Sequence, residues 1–125
     1  MIVMSQAFVI LVHTGFGETH YDLMFERGAV LAVWQLRRSP VDLQPGGQIP
    51  AKRMPDHRLE YLSYEGPVSR GRGEVAVDDR GEYELMAHDE ANWQFRLAGR
   101  RIRGRFNISR HPDQTQWTLS YLGDS

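Results

Sequence analysis

The chain has 125 residues, 41% of them apolar and 25% charged, which fits one domain with a core of its own. It contains no cysteine, so disulfides, thiolate metal sites and cysteine nucleophiles are excluded, and a reducing cytoplasm is the expected compartment. A net charge of −1 excludes general attraction to polyanions and leaves only local charge to consider.

Along the chain, apolar residues alternate with polar ones in short segments broken by glycine, proline and aspartate, the pattern of strands. Residues 8–13 form the first. The apolar run 7–12 is too short to cross a bilayer and has no basic leader ahead of it. Gly15-Phe16-Gly17 ends this strand, residues 20–26 alternate again, and residues 30–36 give a third. Residues 37–56 hold Pro40, Pro45, Pro50, Pro55 and the Gly46-Gly47 pair, which predicts a long irregular connection with room for a helical turn near 51–54. Strands resume at 58–64 and 73–77, with a turn at 78–81, and continue at 82–88, 93–97, 101–110 and 116–122. This spacing predicts an all-β fold: a small closed or partly closed antiparallel β-barrel of about eight strands, with at most short helical turns. A single domain is expected over residues 1–125, with its core at about 7–122, and Trp34, Trp93 and Trp117 inside it.

The segment that can carry chemistry is His20-Tyr21-Asp22-Leu23-Met24-Phe25-Glu26. Strand alternation puts His20, Asp22, Met24 and Glu26 on one face and Tyr21, Leu23 and Phe25 on the other. At about 3.3 Å per residue, His20 and Asp22 stand roughly 6.6 Å apart, close enough for an imidazole nitrogen and a carboxylate oxygen to meet on one ion. The glycine-bearing loop returns the chain so that His13 can supply a third ligand. Two histidines and one carboxylate would leave coordination positions open for substrate or water. The same His-x-Asp pair also occurs as a plain surface hydrogen bond, so spacing leaves both readings standing. The three side chains are expected to meet inside the barrel. His57 is a further ionisable imidazole, and Tyr61 is expected on the same strand face four residues on; such an imidazole can bind a phosphoryl oxygen or protonate a leaving oxygen. His88 and His111 are expected to face solvent. Arginines 96, 100, 101, 103, 105 and 110 fall in a stretch without acids. On residues 102–108, Ile102, Phe106 and Ile108 share one face, so Arg103 and Arg105 belong to the exterior, solvated or following a nucleic-acid backbone.

Taken in order, these residues resemble one family. Phe8-Val9-Ile10 through His13, then His20-Tyr21-Asp22-Leu23 with Glu26, resemble the amino-terminal signature of the 3′-phosphoesterase domain of bacterial DNA ligase D, and more so its short stand-alone relatives. Val30-Leu31 with Trp34, Asp56-His57 with Leu59 and Tyr61, and Glu65-Gly66 continue the match. Gly71, Gly73, Gly81 with Tyr83-Glu84, Phe95-Arg96-Leu97 with Gly99, and Ile102-Arg103-Gly104-Arg105-Phe106 complete it, over about residues 7–110. The resemblance implies a barrel that trims 3′ ends of nucleic acid with a divalent metal, manganese foremost and zinc or cobalt as alternatives. It implies metal ligands at His13, His20 and Asp22, and phosphate contacts and catalysis at His57 and Tyr61. Three features depart from the family: Met24 stands where an arginine is usual, the loop between the first two histidines is one residue longer, and the arginine ahead of the Asp-His pair is displaced, with Arg53 as its stand-in for phosphate.

The expected function is therefore a metal-dependent phosphoesterase removing a 3′-phosphate or 3′-ribonucleotide in DNA end repair, on DNA or a DNA/RNA junction, beside a ligase or polymerase and away from membranes. The alternative is a non-catalytic metal-, phosphate- or nucleic-acid-binding module of the same fold.

Overall fold

Alternating burial carries the chain through nine strands in the computed structural model, which describes residues 6–124; residues 1–5 and 125 of the expected domain lie outside the described residues. The strands are β1 (Gln6–Thr14), β2 (His20–Arg27), β3 (Val30–Leu36), β4 (Gln48–Arg58), β5 (Gly66–Pro67), β6 (Glu74–His88), β7 (Asn92–Gly99), β8 (Arg103–Arg110) and β9 (Gln116–Gly123). They pair in the order β1-β2-β3-β4-β9-β8-β7-β6, and β6 returns to pair with β1. All of these pairings are antiparallel, so eight strands close into a barrel and β5 is a short addition on β6. Closure removes the sheet edges that would otherwise template aggregation. The expected all-β barrel is what forms. Among the described residues no helix is long and apolar enough to cross a membrane.

The barrel interior is filled by inward residues of every long strand, including Phe8, Ile10, Leu23, Phe25, Trp34, Phe95, Phe106, Ile108 and Leu119. Trp34 is fully buried and meets Phe25, Trp93 and Trp117 edge-on, with ring centroids 5.8, 4.9 and 5.3 Å away. All three tryptophans are core, as expected. Truncating a ring packed this way costs about 3–5 kcal/mol. Val41, in the 3-10 turn Pro40–Asp42, and Leu43, which follows it, pack against the same cluster.

A second apolar cluster lies on the outer face of β1, β2 and β3. Val9, Leu11, Met24, Leu31, Val33 and Val75 are buried there under residues of segment 59–68, including Leu59, Tyr61, Leu62, Tyr64 and Val68. This segment begins with a 3-10 turn, Leu59–Leu62, where a strand through residue 64 was expected. The barrel thus has a sheet wall that is buried on both sides, which explains the nearly continuous apolar runs of β1 and β3.

Two other expectations are corrected. Residues 48–56 are strand, not irregular connection, and the helical turn expected near 51–54 is extended. The prolines are accommodated by position: Pro50 lies one residue beyond the last pairing with β3, Leu36 opposite Ala51, and Pro55 lies in a bulge where Leu31 opposes His57 but Val33 opposes Met54. Residues 78–81 are likewise no turn. β6 runs on as one strand with a bulge at Asp78, since Ile10 opposes Asp79 and Leu11 opposes Val77. A buried aspartate is tolerated in that strand because its carboxylate is saturated. Asp79 accepts backbone N–H bonds from Arg80, Arg100, Arg101 and Ile102 at 2.9, 3.0, 3.0 and 2.8 Å, and so fixes the turn joining β7 to β8. Close approach there needs glycine: a Cβ on Gly99 would come within 2.7 Å of Asp79 Oδ2 and 3.0 Å of the Phe8 ring.

Burial opposes the charged form of Asp79, but the four N–H donors outweigh it and hold the carboxyl below its ordinary value. With the native pKa lowered, this carboxylate stabilises the fold above the unfolded-chain value, and that stabilisation is lost as pH falls through the native value. Asp79→Asn keeps the shape but loses charge and acceptor capacity, and is expected to cost about 2–4 kcal/mol at pH 7. Denaturant melts at pH 7 and pH 3 check this: the gap between wild type and variant should shrink at the lower pH.

Candidate metal centre

The β1–β2 register sets His13 opposite His20 and Leu11 opposite Asp22. Residues directly opposite share a face, so His13, His20 and Asp22 converge on one side of the hairpin. That side is the outer wall, shared with Leu11 and Met24 of the second cluster, and not the barrel interior expected from the sequence. Leu23 and Phe25 take the inward positions because they are the apolar half of β2. One nitrogen or oxygen from each of His13, His20 and Asp22 lies within 4.8 Å of the others. The two imidazoles meet edge-on at 4.7 Å.

Hydrogen bonds orient each ring. His13 Nε2 lies 2.6 Å from the Arg72 carbonyl oxygen, which can only accept, so Nε2 carries the proton and Nδ1 keeps its lone pair. Gly73 makes this contact possible, for its φ is +78° and a Cβ there would collide with the Thr14 carbonyl. His57 Nδ1 donates to the Pro55 carbonyl at 3.0 Å, leaving Nε2 as its free nitrogen. His20 Nδ1 faces the Glu18 carbonyl at 3.4 Å, and its Nε2 stands 3.4 Å from Asp22 Oδ2.

Neutral His20 protonated at Nδ1 would turn two lone pairs toward each other across that last gap, which is favourable only with a proton or a cation between them. Asp22 is buried, and burial pushes its carboxyl up; His20, His57 and His13 pull the other way without cancelling it. Two imidazole nitrogens and one buried carboxylate oxygen are a donor set suited to a divalent transition metal. Carbonyl bonds to the far nitrogens of ligating histidines are the usual supporting arrangement. The residues present fit such an ion.

His57 reaches the same wall. It opposes Leu31, and the bulge at Pro55 keeps it on the face of Asp22, whose carboxyl its imidazole influences. Tyr61 does not share a strand with it, as expected earlier, but sits in the 3-10 turn that folds back over β2, with ring centroids 5.8 Å apart. Met24 is fully buried among Val9, Leu11 and Val33, so no cation stands at that position. Arg53 opposes Trp34, stacks over its ring at 4.4 Å and pairs with Asp56 at 3.6 Å. Arg103 and Arg105 do face outward, but on β8, four strands round the barrel from β2 and hence on the opposite wall. His88 and His111 are exposed.

The profile of the DNA ligase D 3′-phosphoesterase domain matches residues 13–110, which contain this whole cluster. The chain belongs to that family. It is 30% identical over 111 residues to the multifunctional non-homologous end joining protein LigD of Pseudomonas aeruginosa, covering 80% of this chain and 13% of that protein. It is 33% identical over 113 residues to LigD of Mycobacterium bovis, covering 85% of this chain and 15% of that protein. The chain therefore spans only a small part of the length of these LigD relatives.

Sequence reasoning missed a groove of about 720 Å³ that starts at His20 and runs across the outer face of β3, β4 and β9, past Gln35, Lys52 and Gln116, with Phe16 at its edge. The signal was the register itself, which links Asp22 to Gln35, Gln35 to Lys52 and Lys52 to Gln116.

Gly73→Ala forces a side chain into a left-handed conformation and into the Thr14 carbonyl. It is expected to cost about 1–3 kcal/mol and to free His13 Nε2 from the Arg72 carbonyl. A fall in melting temperature together with a changed His13 tautomer in ¹⁵N NMR would report both effects.

Proposed function

We propose that this chain is a divalent-metal-dependent phosphoesterase acting on 3′ ends of nucleic acid, DNA or a DNA/RNA junction. The observation that supports it most is the convergence of ligating atoms from His13, His20 and Asp22 within 4.8 Å, beside His57, in a chain of the 3′-phosphoesterase family. These three residues would hold the ion, manganese foremost and zinc or cobalt as alternatives. Such an ion, when bound, polarises a phosphoryl oxygen and lowers the pKa of a bound water.

The chain's own groups supply the rest. His57, anchored through Nδ1, offers Nε2 to a phosphoryl oxygen, and in its protonated form can donate to the leaving oxygen. The Tyr61 hydroxyl adds a hydrogen bond to the phosphate. Arg53, the stand-in cation for phosphate, lies over Trp34 on the inward-facing side of β4 and is paired with Asp56, so it would reach a phosphate only from the rim of the groove. The wall of Leu59, Leu62 and Val68 keeps solvent from the apolar side. Removal of a 3′-phosphate or 3′-ribonucleotide would serve DNA end repair in the cytoplasm, with a ligase or polymerase of that process as partner.

A second reading is a module that binds metal and phosphate without turnover. Its support is Met24, whose apolar surroundings leave no cation at that position to offset charge developing on the transferred phosphoryl group.

Incubation with 3′-phosphorylated and 3′-ribonucleotide-ended duplexes, with and without manganese, separates the two. Metal-dependent release of phosphate or nucleoside is expected; metal binding with no release would favour the module. His20→Ala and Asp22→Ala should each weaken manganese binding at least ~10-fold, measured by calorimetry, and unchanged affinity in both would remove the ligand assignment. His57→Ala should retain the ion but lower turnover by roughly 10²–10⁴.

A further inference from the structure

Phe16 is the most exposed large apolar side chain among the described residues, at 53%, and it sits in the β1–β2 loop against the groove, three and four residues before Thr19 and His20, which line it too. One exposed ring is ordinary on a protein surface; what sets Phe16 apart is that it lines an open groove beginning at His20. Across the groove stands Lys52. Its position follows from three successive pairings, Asp22 with Gln35, Gln35 with Lys52 and Lys52 with Gln116, which put all four side chains on one face. At about 4.8 Å per strand, Lys52 begins roughly 10 Å from Asp22.

The charges are not equivalent. Three cations, Arg37, Lys52 and Arg53, line the groove against one carboxylate, Glu18. Arg37 is paired with Glu18 at 2.8 Å, and Arg53 with Asp56 at 3.6 Å. Lys52 is exposed and has no ion-pair partner among the described residues. Gln35 and Gln116, its neighbours on either side, both donate and accept hydrogen bonds. An exposed aromatic ring, an unpaired flexible cation and side-chain amides in one open channel are the elements of single-strand nucleic-acid recognition: stacking for a base, charge for the backbone, amides for sugar and base edges. Bulk charge does not obscure this, since the whole chain carries only −1.

We propose that this groove receives the unpaired nucleotides leading to a 3′ end, with Phe16 stacking a base next to the reacting terminus and Lys52 holding a backbone phosphate upstream. The inference rests on the 3′-end reading above and adds to it the path of the strand. It also selects a substrate: a frayed or single-stranded 3′ end fits, whereas a blunt duplex presents its last base already stacked. The basic stretch on β8, on the opposite wall, lies off this path.

The test is fluorescence anisotropy with a 3′-phosphorylated single-stranded hexanucleotide in manganese, across a salt series, for wild type, Phe16→Ala, Lys52→Ala and Arg103→Ala. Phe16→Ala is expected to weaken binding by ~10-fold. Lys52→Ala should weaken it and reduce the slope of log K against log salt by about 0.7. Arg103→Ala should match wild type, as should manganese affinity in every variant. Wild-type hexanucleotide binding in both Phe16→Ala and Lys52→Ala overturns the path while leaving the 3′-end reading intact. Failure of wild type itself to bind any 3′-ended strand overturns both.

Discussion

The pairing register of β1 on β2 governs the rest of the site. A strand's side chains alternate, so a slip by one residue would turn His13 inward while His20 and Asp22 stayed out, and the three could not meet. The register is held by the interior: Phe8 opposite Phe25 and Ile10 opposite Leu23 are buried pairs on the core side of the same hairpin. Misplacing them would expose large apolar surface at about 25 cal/mol per Å². Hydrophobic burial on one face of the sheet thereby positions polar chemistry on the other.

That chemistry sits on an outer wall that is nonetheless sheltered. Segment 59–68 crosses over β1, β2 and β3 and buries Val9, Leu11, Met24 and Val33, so Asp22 lies at the boundary between an apolar patch and an open groove. A carboxylate at such a boundary loses hydration, which raises its pKa, while the imidazoles beside it act in the opposite direction. The same covering segment delivers Tyr61 to His57. Its turn thus both covers the wall and touches the candidate site. Met24 lies beneath that cover, so its position on the face of Asp22 is apolar.

A separate polar device ties the β7–β8 turn to β6. Asp79 gathers four backbone N–H groups from its own neighbour and the β7–β8 turn, allowing a carboxylate to sit within β6 where the sequence pattern suggests a turn. Because β6 pairs with both β1 and β7, this device ties the hairpin bearing the histidines to the far side of the sheet. The relatives named LigD are several times longer than this chain, and the barrel corresponds to a small part of each.

Alternation alone was enough for most of the strands, the all-β fold, the tryptophan core and the common face of His20 and Asp22, because period-two burial is a local property of the chain. The candidate set of His13, His20, Asp22 and His57 also came from the order of the motifs, and the fold brings ligating atoms of the first three within 4.8 Å of one another. What needed the tertiary structure was every decision made by a distant partner. Prolines 50 and 55 suggest a loop until β9 is seen to pair through Pro50 and the pairing with β3 to bulge at Pro55. Asp78 and Asp79 suggest a turn until residues 100–102 supply donors. Tyr61 suggests a strand until the second apolar cluster folds it into a turn. Which face of β2 becomes interior follows from its residues, but that the other face would be half covered and half groove follows only from closing eight strands and laying a ninth segment across them.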